Sequence, residues 1–144
     1  MTRMNTQEKL ILELSIPQAR AAVDAFDLFT RLSLGQFRAL EDMIRQEAIK
    51  KADGSPADME TCEQIDGLLK QMATLMGFGY NSSRGIGNPN NSIESARAYE
   101  IKKVVEKALA VHNDPNPSFR GVNYDGLIVR YTQDPAPCAT ITSR

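Results

Sequence analysis

SIPQARAAVDAFDLFTRLSLGQFRALEDMIRQEAIKK, residues 15–51, decides how this chain folds. Apolar Ala19, Ala22, Val23, Phe26, Phe29, Leu34, Phe37, Leu40, Ile44 and Ala48 recur largely at steps of three and four, the stripe of an amphipathic helix. Ser15 precedes it as an N-cap, Pro17 is tolerated in a first turn, and Gln18 supplies the second half of a capping box. The pattern predicts one helix to about Lys51, a rod of roughly 50 Å. A compact domain of this size has a radius of gyration of only about 14–15 Å. The rod therefore overhangs one subunit and asks for a second copy. Gly35 is the odd residue in it, since an interior glycine costs about 1 kcal/mol relative to alanine. Either the helix breaks there or a crossing helix or ligand approaches closely. If the rod is unbroken, Arg31, Arg38 and Arg45 line one side of it.

Upstream, Leu10, Leu12, Leu14 and Ile16 alternate with Ile11, Glu13 and Ser15, the pattern of a half-buried strand. Downstream, Asp53-Gly54-Ser55-Pro56 reads as a turn. A second helix over residues 61–76 follows, with Cys62, Ile65, Leu68, Leu69, Met72, Leu75 and Met76 as its apolar face packed back on the first. A third, capped by Asn90, Asn91 or Ser92, runs to about His112, with Lys102, Lys103, Glu106 and Lys107 outward. Beyond a proline-rich stop, Val122, Tyr124, Leu127, Val129 and Tyr131 alternate around Asp125-Gly126, a hairpin signal, and residues 139–142 read as a closing strand. The expected class is α+β: a small antiparallel sheet of three or four strands packed with two or three helices, the first one long, in a single domain over residues 1–144.

Composition narrows the function. The 144 residues are 42% hydrophobic and 24% charged with a net charge of −1, a soluble-domain profile without bulk affinity for DNA, RNA or an anionic membrane. No apolar run approaches the roughly 18 residues of a membrane span. The two cysteines lack metal or CxxC spacing and the N-terminus lacks a signal-peptide core, which implies a reducing cytoplasm. One histidine and no activated cysteine leave nucleophilic and metal catalysis without machinery. No metal, cofactor or enzymatic activity is expected.

What remains is recognition, centred on residues 77–97, GFGYNSSRGIGNPNNSIESAR. Four of the nine glycines and four asparagines lie here, ahead of a helix N-terminus, in a composition that can turn backbone N–H groups toward an anion. Asn91 with Glu94 fits a capping box. Arg84 and Arg97 add positive charge, the asparagines suit base or ribose edges, and Phe78, Tyr80 or Tyr99 offer stacking surfaces. Without an exact phosphate-loop motif, an ordinary surface loop explains the stretch equally well.

Three segments resemble a phage-encoded family: Phe29-Thr30-Arg31-Leu32-Ser33-Leu34-Gly35-Gln36, Asn81-Ser82-Ser83-Arg84-Gly85-Ile86 and Ala96-Arg97-Ala98-Tyr99-Glu100-Ile101-Lys102-Lys103-Val104. That family contains the anti-Thoeris sponges, which sequester cyclic ADP-ribose isomers made by bacterial TIR-domain immune proteins. The resemblance spans residues 15–111; the family pattern has a longer polar turn ahead of Asn81 and an aromatic where Arg84 stands. It implies a homodimer or higher homo-oligomer in the cytoplasm of the infected bacterial cell. Such an assembly binds its signalling nucleotide, a cyclic ADP-ribose isomer or cyclic oligonucleotide, between subunits without cleaving it. It further implies that Arg97 holds a phosphate, Arg31 supplies a second guanidinium, Asn81 contacts ribose or base, and Phe78 stacks, with Tyr80 as its rival. Two other classes stay open: a helical interaction module that a phage directs at a host protein, and a hydrolase or lyase acting on a nucleotide.

Overall fold

A computed structural model describes residues 8–79, 82–125 and 130–142. Helices α1 (Ile16–Ser33), α2 (Arg38–Arg45), α3 (Met59–Leu75) and α4 (Ile93–Asn113) are followed by a single helical turn, α5 (Val122–Asp125). No strand occurs among the described residues, so the expected α+β class is overturned: the fold is all-helical. The chain divides into two units, Asp27–Ala96 and the combination of Met1–Phe26 with Arg97–Arg144.

In the Asp27–Ala96 unit the predicted long helix is broken. Gly35 takes φ +92°, and the chain leaves α1 through a Schellman motif: the Gln36 N–H donates to Arg31 O at 2.9 Å and the Gly35 N–H to Leu32 O at 3.1 Å. Only a residue without a Cβ adopts this conformation cheaply. The apolar stripe runs on across the break, which is why periodicity alone predicts a rod. Arg31 and Arg38 consequently lie on different helices, and the expected row of three guanidinium groups does not form.

The same motif ends the next two helices. α3 closes at Gly77, φ +84°, with the Phe78 N–H donating to Ala73 O and the Gly77 N–H to Thr74 O. α2 closes at Glu47, φ +63°, with the Ala48 N–H on Met43 O and the Glu47 N–H on Ile44 O. Glu47 alone among the described non-glycine residues has positive φ.

The two glycine ends interlock. Phe78, just past the end of α3, lays its ring on Gly35 so closely that a Cβ there would fall inside the ring's van der Waals envelope. The ring also meets Phe37 edge to face, with centroids 5.8 Å apart. The close approach anticipated at Gly35 is therefore made by a side chain of the unit's own core. α3 begins at Asp58, whose carboxylate caps the Thr61 N–H, and packs on α2. Cys62 is buried and Ile65 and Leu69 half-buried, but Leu68, Met72, Leu75 and Met76 stay exposed, so the expected apolar face is only partly covered.

In the other unit, Ser15 and Gln18 form the predicted capping box: the Gln18 N–H donates to Ser15 Oγ at 3.2 Å and the Ser15 N–H to Gln18 Oε1 at 2.9 Å. The strand expected ahead of it is absent. Residues 10–15 have no ladder partner, and Leu10 and Ile11 are 92% and 86% exposed. The expected hairpin also fails, because Val122–Asp125 is helical and the Tyr124 hydroxyl donates toward Ala110 O and Asp114 O at the end of α4. Residues 126–129 of that hairpin lie outside the described residues. Residues 139–142 form no strand either. Lys103, expected to face outward, is buried beside Glu106.

Two substitutions test the helix ends. Gly35→Ala combines a strained φ with displacement of the Phe78 ring and should cost about 2–5 kcal/mol, read as a lower urea midpoint. Glu47→Gly removes strain and should stabilise the fold by about 0.5–1 kcal/mol, read as a higher midpoint with an unchanged slope.

Candidate functional site

Within the Asp27–Ala96 unit, Arg31, Phe78 and Arg84 all belong to the C-terminal end of α1. The last carbonyls of a helix lack intrahelical donors and carry its negative pole. Arg84 answers both needs. Its backbone N–H donates to Leu34 O at 2.8 Å, its Nη2 donates to Ser33 O at 2.9 Å, and its guanidinium sits 5.0 Å from the Phe78 ring centroid. Its Nε is buried without a hydrogen-bond partner among the described residues. Arg84 thus caps α1, and Phe78 is half-buried between that cation, Gly35 and Phe37.

Arg31 is the more accessible cation. Its side chain is 49% exposed, with Nε on Asp27 Oδ2 at 2.8 Å and Nη1 on Gln36 Oε1 at 2.9 Å. The pair with Asp27 spans one helical turn, acid first, a geometry of modest strength that a competing anion can replace. Asn81 and its neighbour Tyr80 lie outside the described residues.

The asparagine-rich loop closes mainly on itself. Asn91 Nδ2 donates to Gly85 O at 2.7 Å and Ile86 O at 3.0 Å, and Asn88 Oδ1 accepts the Asn90 N–H. The Asn88 and Asn91 N–H groups are likewise taken by Gly85 O and Asn88 O. The cap of α4 is Ser92, whose Oγ accepts the Ser95 N–H at 3.2 Å. Asn91, offered as a capping-box residue with Glu94, instead ties the loop.

Arg97 belongs to the other unit. Its Nε and Nη2 grip Asp134 Oδ2 and Oδ1 at 2.7 and 3.2 Å, the two-pronged arrangement a guanidinium also offers to phosphate. One turn on, Glu100 is only 2% exposed and anchors residues 130–134 to α4. Its Oε1 accepts Arg130 Nε at 2.7 Å and Thr132 Oγ1 at 2.9 Å, and its Oε2 accepts the Tyr131 N–H at 3.0 Å. Arg130 Nη2 in turn donates to Asp134 O. Burial pushes the Glu100 carboxyl up, but the hydrogen bonds from Thr132, Tyr131 and Arg130 outweigh it and hold the group below the ordinary carboxylate range. The hydrogen bond from Arg97 does the same for Asp134. Tyr99 and Tyr131 pack edge to face at 5.8 Å, with Lys102 5.6 Å from the Tyr99 centroid. Burial, helped by Tyr131, raises the Tyr99 hydroxyl.

Glu100, Arg130 and Asp134 were not anticipated from the sequence, and neither was Glu41. Glu41 is 1% exposed on α2, with Oε1 paired to Arg45 at 2.6 Å and Oε2 without a hydrogen-bond partner among the described residues. Both glutamates fall on the apolar stripe of their helix, Glu41 between Phe37 and Ile44 and Glu100 between Ala96 and Val104. A carboxylate in that position is the signal that could have found them. Among the described residues no group of three His, Cys, Asp or Glu side chains could hold a metal ion, and no helix is long and apolar enough to cross a membrane.

No protein-family model matches the chain, and no solved structure does. It is similar to ATP synthase subunit delta of Corynebacterium diphtheriae, 23% identical over 104 residues that make up 72% of this chain and 35% of that protein. The chain thus spans about a third of the length of the curated relative it matches.

Glu100→Gln should destabilise the protein at pH 7 by about 2–3 kcal/mol, since it leaves Arg130 without its anion and puts an NH2 donor where one of the two accepting oxygens stood. Because the folded carboxyl titrates below its unfolded value, its contribution is complete above about pH 5 and is lost as pH falls through the folded value. Denaturation curves of wild type and variant should therefore converge as the pH is taken below the ordinary carboxylate range.

Proposed function

We propose that the chain is a phage anti-defence protein that binds and sequesters a cyclic ADP-ribose-type signalling nucleotide, without cleaving it, in the infected bacterial cell. The observation that carries this reading is Arg97: a half-exposed guanidinium in the first turns of α4, already gripping a carboxylate with the two prongs that phosphate oxygens also accept. It stands within the segment Ala96–Val104 that resembles the sponges, and Arg31, in the first resembling segment, is also exposed. A sequestering site needs charge and enclosure but no general base. Enclosure is assigned to a second copy of the chain. The exposed Leu68, Met72 and Leu75 of α3, with Met76 just past its end, supply apolar surface for such an assembly.

That apolar face also favours the second reading, a helical interaction module directed at a host protein. Calorimetry separates the two. The pure protein titrated with cyclic ADP-ribose isomers and cyclic oligonucleotides should bind at least one of them, and Arg97→Ala and Arg31→Ala should each weaken that affinity about 10- to 100-fold, the range for a charged hydrogen bond. Ligand recovered by heating should have unchanged mass. Silence across the whole panel removes the sponge reading, and an altered mass replaces it with an enzyme.

A further inference from the structure

Arg97 does not wait for an anion, because the chain brings one to it. The Asp134 carboxylate lies in the geometry a phosphate would use, and both partners remain open to solvent, their side chains 44% and 29% exposed. We propose that Asp134 is a built-in competitor for Arg97, an internal carboxylate that any phosphate ligand must displace and that lowers the affinity of the site for every such ligand. This deepens the sponge reading and rests on it.

The way residues 130–134 are held makes the carboxylate separable from the scaffold. The Asp134 N–H donates to Thr132 Oγ1 at 3.3 Å, and its carbonyl accepts Arg130 Nη2. Arg130, Tyr131 and Thr132 are all fastened to buried Glu100. The backbone at position 134 is therefore fixed to α4 by bonds in which its side chain takes no part. The side chain can release Arg97 while the segment stays in place. A carboxylate tethered in this way competes at an effective concentration set by its tether and independent of what is in solution, and its charge also repels an arriving phosphate. A small anion that contacts Arg97 alone gains little by the exchange, whereas a nucleotide with further contacts gains enough to complete it.

A double-mutant cycle tests this. Asp134→Asn, with Asp134→Ser as a smaller counterpart, should keep the helical circular dichroism of wild type. Each should tighten binding of the preferred cyclic ADP-ribose isomer about fivefold, the scale of an exposed ion pair. In an Arg97→Ala background the same changes should gain nothing beyond about 1.5-fold. If wild type binds the isomer and the Asp134 variants bind it equally or more weakly, or tighten it just as much without Arg97, the competitor role is overturned while the sponge reading stands. If wild type binds no isomer, the sponge reading fails and the competitor role falls with it.

Discussion

The seat of Phe78 on Gly35 is the contact on which the Asp27–Ala96 unit turns. Two helices end in the same left-handed exit, and the aromatic residue just past one exit rests on the bare backbone of the other. Phe37 closes the ring's edge and Arg84 covers it while bonding to the carbonyls that α1 leaves open. Arg84 thereby serves a helix pole and a desolvated ring together.

Charge is organised differently in the other unit. There a buried carboxylate, Glu100, lies on the inner stripe of α4 and gathers Arg130, Tyr131 and Thr132 from a segment without regular structure. A helix holds such a segment through hydrogen bonds where a sheet would have used a ladder. Glu41 repeats the theme on α2 with Arg45 as its partner. In both cases the low-dielectric surroundings make the ion pair costly to break from one side only.

Local signals in the sequence were readable where the physics is local. The Ser15–Gln18 capping box and the spans of α3 and α4 need only neighbours three or four residues away. The break at Gly35 was visible as an anomaly, but its meaning depended on Phe78, a residue 43 positions on that no periodicity connects to it. The alternation at residues 10–16 and at Val122–Tyr124 failed for the same reason, since a strand exists only with a partner. Of the candidate site, the arginines stood out in the sequence as candidate anion partners. What each already held was beyond reach: Arg84 the end of α1, Arg31 Asp27 and Gln36, Arg97 Asp134. Glu41 and Glu100 were hidden because amphipathic patterning assigns glutamate to water by default.

The Gly35 and Phe78 pairing also restricts the order in which this sequence can drift. Replacing the ring by a small side chain opens space above position 35, yet the backbone there still demands glycine, so that position gains no freedom. Replacing the glycine first strains the backbone and evicts the ring together. Neither residue offers a neutral first step, and descendants of this chain that retain the α1 exit are held to glycine at 35 long after the aromatic at 78 has begun to vary.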